Sequence, residues 1–291
     1  MGDAELPSMA AEEPSPGAAG IRKKPSHNDT KENQSLYIKD PVMKQGCWTV
    51  VRLDGVKFSK LSSLFKTKTH SGFSNAMQRA AERFATEFGA SFAYVQSDEV
   101  TLFFAPHRAP KHAVRIDKAL TVMSSYLTRY FGKEIAEEIN DPGSCLTQRQ
   151  KTDLHNFVTA FDARLFHLSF EDAIDCLLSR QYQLFGNAVG GVAHDEKIPE
   201  RKLRNVNTKQ RIEMLGDSLN TVPEGIMNGY LVGRNKVSRT CVNLHTNTEH
   251  NVVRSITETK VCPLLFDVRD GTFSQQVVCD QLRSLFNNSD I

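Results

Sequence analysis

Cys47-Trp48-Thr49-Val50-Val51-Arg52-Leu53-Asp54-Gly55, answered later in the chain by Gln96-Ser97-Asp98-Glu99, decides how the rest is read. The first stretch is an apolar, β-branched strand that carries a carboxylate, Asp54, to its C-terminal end. Gly55 is expected to turn the backbone at once. Around the second stretch, residues 92–96 and 100–104 read as strands joined by a tight polar turn, with Asp98 and Glu99 at the tip. If the two strand systems are neighbours, Asp54 and Asp98 face one spot. Two carboxylates so placed can hold a pair of divalent cations roughly 3.5–4 Å apart, the arrangement of phosphoryl-transfer sites. Taken singly, an Asp-Gly after a strand and a Ser-Asp-Glu between strands are ordinary turn chemistry. Their order along the chain is the one a palm fold requires.

Outward from these motifs, residues 56–71 form a loop rich in Lys, Ser and Thr. Phe73, Ala76, Met77, Ala80, Phe84 and Phe88 then recur at helical spacing, and Gly89 follows as a stop signal. Beyond Pro106 and Pro110, Ala113, Ile116, Leu120, Met123, Leu127 and Phe131 mark a second amphipathic helix, ending near Gly132 or continuing to Asn140. Phe157-Val158-Thr159-Ala160-Phe161 is expected to be a fourth strand. The sum is of the α+β class: a ferredoxin-like βαββαβ palm, as in polymerases and cyclases, with an appended helical and β extension. The organisation expected is a disordered tail over 1–34, a palm nucleotidyltransferase core over 35–165, and an appended helix and strand region over 166–291.

The tail is dense in Ala, Glu, Pro, Gly and Ser without apolar periodicity. Its early acids, Asp3, Glu5, Glu12 and Glu13, argue against a mitochondrial transit peptide. No apolar run approaches membrane-spanning length, so a soluble protein without a membrane partner is expected. Cys47, Cys145, Cys176, Cys241, Cys262 and Cys279 are scattered without a C-x-x-C pair, so free thiols, a reduced intracellular compartment and no zinc are expected. Cys47 is placed in the strand and Cys176 in a helix.

A formal net charge of +2 removes the simplest argument for a nucleic-acid partner, but the distribution is uneven. Lys197, Arg201, Lys202, Arg204, Lys209 and Arg211 crowd one stretch, and Arg234, Lys236 and Arg239 another. Such clusters are often solvated faces; beside a metal-dependent site, a polyanion partner becomes the better expectation. Phe161-Asp162-Ala163-Arg164-Leu165-Phe166 precedes a long helix over 171–193, with Glu171 and Asp172 in its first turn. Thr208–Leu215 reads as a short helix, and a strand begins at Asn228-Gly229-Tyr230.

Val50-Val51-Arg52-Leu53-Asp54-Gly55-x-x-Phe58, with Tyr94-x-Gln96-Ser97-Asp98-Glu99 and Arg180-Gln181 ahead of Asn187, resembles the tRNA(His) guanylyltransferase family, which includes guanylyltransferase-like 3′–5′ RNA polymerases. The resemblance runs from about Tyr37 to about Val237. It implies a polymerase-like palm working in reverse, activating a tRNA 5′ end and then joining a nucleotide's 3′-hydroxyl to it. It further implies that Asp54 and Asp98 bind two Mg²⁺ with the Gly55 carbonyl, and that Glu99 is a carboxylate needed for activity. GTP and ATP would be wrapped by Gly55, Val56, Lys57, Phe58 and Ser59, touched by Ser97, with Lys66, Lys68 and His70 in reach of phosphates. Arg180 and Asn187 on the helix, with Arg201, Lys202, Arg204 and Lys209, would face the tRNA. A homotetramer and a cytoplasmic location complete the expectation.

Departures indicate the branch. Ser59 stands where guanylyltransferases proper have a histidine, Phe185-Gly186-Asn187-Ala188 replaces their His-Ile-Asn-Asn, and Ser179 replaces the tryptophan before Arg-Gln. These losses fit templated repair of tRNA 5′ ends better than a single guanylate addition to tRNA(His). Two other classes share parts of the pattern. A nucleotidyl cyclase would need the carboxylates but no RNA surface; an inactive RNA-binding protein would show no metal-dependent triphosphate turnover.

Overall fold

The computed structural model describes residues 43–62, 64–65, 71–108, 110–111, 115–141, 146–243, 246, 248–267 and 272–286. The expected tail, Lys66, Lys68, His70, Ala113 and Cys145 therefore lie outside the described residues. The elements run β1 (Trp48–Gly55), α1 (Phe58–Ser62), α2 (Ser71–Phe88), β2 (Phe92–Gln96), β3 (Glu99–Phe104), α3 (Ile116–Asn140), α4 (Gln148–His155) and β4 (Phe161–Leu168). There follow α5 (Phe170–Asp195), α6 (Glu200–Leu203), α7 (Thr208–Leu215), a 3₁₀ turn (Gly216–Thr221), α8 (Glu224–Asn228), β5 (Tyr230–Asn243), β6 (Thr248–Val261) and α9 (Gln275–Phe286).

The six strands form one sheet in the order β4-β1-β3-β2-β5-β6, with every neighbouring pair antiparallel. The first four strands in that order are the ferredoxin-like palm. Side chains alternate across it, as strand geometry demands. Val51, Leu53, Val95, Val100, Leu102 and Phe104 face one layer, packed against Met77, Ala80 and Phe84 of α2 and Met123, Leu127 and Phe131 of α3. Trp48, Val50, Phe92, Tyr94 and Phe103 face the other, covered by Ile174, Leu177 and Leu178 of α5 and Val278, Leu282 and Phe286 of α9. The extension thus adds two strands to the palm sheet and covers its second face, sharing its core. Among the described residues no helix is long and apolar enough to cross a membrane.

Several expectations are corrected. The fourth strand is Phe161–Leu168, and Phe157-Val158-Thr159-Ala160 is a lead-in with Val158 86% exposed. Phe161, Ala163 and Leu165 pack against the α2/α3 core while Asp162 and Arg164 alternate outward, so the charged residues hid a period-2 pattern. The lead-in follows α4, an unforeseen helix opened by a capping box of Thr147 and Gln150. Of the two ends expected for the second amphipathic helix the longer holds, since α3 runs past Gly132 to Asn140. β1 begins at Trp48, leaving Cys47 outside it and half-buried. Asn228 closes α8 and β5 starts at Tyr230, as half of a ribbon of paired fourteen-residue strands.

Candidate active site

Two elements place the carboxylates. β1 pairs with β3 so that Asp54 lies opposite Glu99, and β2–β3 is a tight hairpin in which Gln96 pairs with Glu99. Only Ser97 and Asp98 form the tip, with Ser97 at φ 47°. Glu99 is therefore not a turn residue: it opens β3 and is buried. The Gly55 N–H donates to the Asp98 carbonyl at 3.1 Å, which fastens the end of β1 to the hairpin tip.

Gly55 has a different task from the one expected. The strand runs through it, and the positive φ, 62°, belongs to Lys57. A Cβ on Gly55 would lie 2.4 Å from the Phe58 ring. That ring is fully buried, with centroids 4.9 Å from Phe161, 5.2 Å from Phe131 and 6.2 Å from Phe73. Glycine thus lets the α1 aromatic fold back onto the strand end beside Asp54. The N–H groups of Gly55 and Val56 are already given to Asp98 and Ala160, so an anion nest formed by this segment begins no earlier than Lys57.

Electrostatics set Asp98 apart. Burial pushes its carboxyl above the ordinary range, and the charge of Asp54 adds to the shift, while a hydrogen bond from Ser97 opposes it. Among the described residues no basic side chain is paired with Asp54 or Asp98. Two hard oxygen donors that repel one another and lack an organic counter-ion fit a divalent cation. Among the described residues no three acids, histidines or cysteines are grouped to hold an ion by themselves. A divalent cation here could take Asp54, Asp98 and backbone from the chain, leaving substrate phosphates and water to complete its shell.

Glu99 is engaged elsewhere. Its carboxylate receives Arg180 Nε at 2.8 Å and Nη2 at 2.5 Å, and lies 3.8 Å from Arg52 Nε. Burial raises its proton affinity and Arg180 opposes that rise. Arg180 is accordingly drawn into the protein, with its side chain 18% exposed, and does not present the free guanidinium expected of an RNA contact.

A cavity of about 450 Å³ opens beside the carboxylates. Its palm wall includes Phe58, Ser59, Ser97 and Asp98, and its other wall includes Asn187 of α5 and Ile226 of α8. Of the expected nucleotide residues, Phe58, Ser59, Ser97 and Asp98 line this cavity, whereas Val56 and Lys57 are exposed at the end of β1. Asn187, expected at RNA, lines it too. Arg201, Lys202, Arg204 and Lys209 are all exposed, on or beside α6 and α7. α7 lies against α5, where Thr208 approaches Gly186 and Arg211 approaches Gly190.

Asp162 was missed as a neighbour of the site. It stands opposite Asp54 on β4, as Arg164 stands opposite Arg52, so Asp162, Asp54 and Glu99 share one face across three adjacent strands. The signal was the alternation in Phe161-Asp162-Ala163-Arg164, but its register against β1 is not a local property.

Residues 31–169 match the sequence profile described as Thg1, tRNAHis guanylyltransferase. An uncharacterised protein of Acanthamoeba polyphaga mimivirus is 28% identical, over 59% of this chain and 63% of its own length. The chain thus spans less than two thirds of that relative. A bacterial tRNA(His) guanylyltransferase (Thg1)-like protein solved with ATP superposes with a TM-score of 0.61 at 16% identity, covering 82% of this chain and 93% of that one. The GTP complex described by the same words gives 0.58 at 16% identity, covering 82% and 92%. The tRNA(His) guanylyltransferase of Saccharomyces cerevisiae gives 0.55 at 18% identity, covering 76% and 95%. At these identities the structural likeness speaks for the palm fold, and the sequence match falls on the segment holding Asp54, Gly55, Asp98 and Glu99. Over residues 31–169, just under half of its length, the chain is similar to the tRNAHis guanylyltransferase family.

Proposed function

We propose that the protein is a metal-dependent nucleotidyltransferase that adds nucleotides to tRNA 5′ ends in the 3′–5′ direction, choosing each by pairing with the opposite strand. The observation that carries this is that Asp98, close enough to Asp54 to feel its charge, lines a cavity of about 450 Å³, a volume suited to a nucleotide. GTP and ATP are the substrates proposed, since both occupy structures of the same fold. Two Mg²⁺ held by Asp54, Asp98 and the Gly55 carbonyl would neutralise triphosphate charge and polarise the phosphorus under attack.

The chain's own groups do the remainder. The Ser59 and Ser97 hydroxyls supply donors close to the carboxylate end. The Gly55–Asp98 backbone hydrogen bond fastens the strand end that carries Asp54 to the hairpin tip that carries Asp98, which would limit reorganisation as charge develops. In the proposed sequence the tRNA 5′ end is first activated by a nucleoside triphosphate and then accepts the 3′-hydroxyl of the incoming nucleotide. The exposed basic stretch from Arg201 to Lys209 is the proposed contact for tRNA phosphates. A homotetramer in the cytoplasm is proposed on the family resemblance.

Templated addition is favoured over a single guanylate by Ser59, Gly186 and Ala188, which offer little for reading one particular tRNA. The test offers all four labelled triphosphates and Mg²⁺ to a 5′-truncated tRNA and to full-length tRNA(His). Extension of the truncated tRNA, matched to its opposite strand, is expected. One extra guanylate on the full-length tRNA, with no extension of the other, would show the single-addition activity instead. Cyclic nucleotide formed from triphosphate alone would show a cyclase.

A further inference from the structure

We propose that Arg180 is a positioning residue: it holds Glu99, and through Glu99 the Asp98 hairpin, at a set distance from α5, and Glu99 acts through this clamp without touching the reacting groups. The consequence for catalysis rests on the nucleotidyl transfer proposed above; the clamp itself is a matter of packing.

Most of the acceptor capacity of Glu99 is already taken. A carboxylate offers about four lone-pair sites. Here Oε1 accepts from Arg180 Nε at 2.8 Å, from Thr101 Oγ1 at 3.2 Å and from Gln96 Nε2 at 3.2 Å, and Oε2 accepts from Arg180 Nη2 at 2.5 Å. The Glu99 side chain is 4% exposed. Asp98, its neighbour in the chain, is only half-buried and borders the cavity. One carboxylate is thus spent on α5 while the other is presented to substrate.

The next residue on α5 completes the device. Adjacent helical residues point about 100° apart, and Gln181 reaches away from the hairpin. Its Nε2 donates to the Asn228 carbonyl at 3.1 Å and the Pro263 carbonyl at 2.8 Å, and its Oε1 accepts from the Leu265 N–H at 2.9 Å. Gln181 is fully buried. The Tyr94 hydroxyl, from β2, donates to the same Asn228 carbonyl at 2.8 Å. Arg180 and Gln181 therefore tie one helix to both neighbours that wall the cavity: the hairpin that ends in Asp98, and α8. From Leu184 onward the same helix lines the cavity itself. Charge and hydrogen bonds, which demand direction and length, set this spacing more sharply than apolar packing would.

The experiment is a double-mutant cycle on the full chain with Glu99→Gln, Arg180→Met and the pair together, plus Arg180→Lys as a variant that keeps the buried charge balanced. Three quantities are read: the melting temperature without metal or nucleotide, the Mg²⁺ dependence of fluorescent GTP-analogue binding, and the rate and KM of nucleotide addition. Arg180→Met should lower the addition rate about 100-fold, the scale of a small misplacement of catalytic groups. Its KM for tRNA and its Mg²⁺ half-saturation should stay unchanged. The double variant should melt higher than the sum of the two single effects allows, because no buried charge is left alone. Arg180→Lys should fall between wild type and Arg180→Met in rate.

Three outcomes would overturn the proposal. A weakened Mg²⁺ dependence in Glu99→Gln at a wild-type melting temperature would make Glu99 a metal ligand. A raised KM for tRNA at an unchanged rate in Arg180→Met would make Arg180 an RNA-binding residue. Additive drops in melting temperature would mean that the two side chains are not coupled. The melting cycle and the binding titration need no turnover, so a protein that fails to extend tRNA would refute the proposed reaction and still report on the clamp.

Discussion

At the residue scale, Asp98 trades stability against function. Burial and the charge of Asp54 raise its carboxyl above the ordinary range, which for an unfolded aspartate centres on about 3.9. A carboxyl whose folded value exceeds its unfolded value binds its proton more tightly in the folded chain. Stability is then greatest below the unfolded value and declines as pH rises through the window up to the raised one. At neutral pH, without metal, ionised Asp98 is therefore destabilising. Asp98→Asn should abolish nucleotide addition and yet raise the melting temperature of the metal-free protein at pH 7. For a domain of this size each 1 kcal/mol relieved is worth about 2–4 °C. The gain should shrink at acid pH, where the wild-type carboxyl is protonated. Melting curves in EDTA at both pH values test this, and a variant that melts lower than wild type at pH 7 would refute the sign. Asp54→Asn should also abolish addition; near-normal turnover by either variant in Mg²⁺ would remove the two-metal assignment.

Between residue and element, the junction of β1 and α1 depends on the absence of one methyl group. The Phe58 ring occupies the space a Gly55 Cβ would need, and it cannot retreat, because Phe73, Phe131 and Phe161 surround it. Gly55→Ala should destabilise the fold by about 1–3 kcal/mol, the usual cost of overpacking, and should displace the end of β1 that carries Asp54. Thermal melting and the addition rate should fall together. An unchanged melting temperature would mean that the ring has another place to go. At the scale of the helix, Gln181→Leu on α5 takes this partner from the Leu265 N–H and the Pro263 carbonyl, while the Asn228 carbonyl keeps the Tyr94 hydroxyl. Each buried group left unpaired costs about 1–3 kcal/mol, so this variant should melt well below Asn187→Ala, which alters an exposed position on the same helix. Equal melting of the two would show that water replaces the missing amide.

For the molecule as a whole, the extension covers the second face of the palm sheet and carries the exposed basic stretch on its outside. Catalytic and electrostatic functions are thus separable by mutation. Arg201→Glu, Lys202→Glu and Arg204→Glu combined should weaken tRNA binding and flatten its salt dependence, by about 0.7–0.9 in log–log slope for each phosphate that is no longer neutralised. Binding of a GTP analogue should hardly change, since none of the three lines the cavity. Titrations at two salt concentrations measure both effects. Undiminished tRNA affinity at physiological salt would reduce the stretch to a solvated face.

Much of the fold was legible without coordinates, because its information is local. The near-continuous apolar runs of Trp48–Gly55 and Phe92–Gln96, covered on both faces, the period-3.6 stripe from Phe73 to Phe88 and the stop at Gly89 each reflect how one element is buried. The β2–β3 hairpin follows from its two-residue turn, and the βαββαβ succession of elements pointed to the palm. Tertiary structure alone decided what lies between elements. Glu99 and Arg180 stand 81 positions apart, and only the packing of α5 on the palm sheet turns an expected RNA-binding residue into a half-buried counter-ion. Asp162 meets Asp54 through a register that no local pattern encodes. Gly55 looked like a turn residue because glycine's conformational freedom is visible in a sequence, whereas the ring that fills its missing side chain is not. Hydrophobic periodicity reports which face of an element is buried. Which charge meets which is fixed by hydrogen bonds and packing between distant segments, and those exist only once the chain has folded.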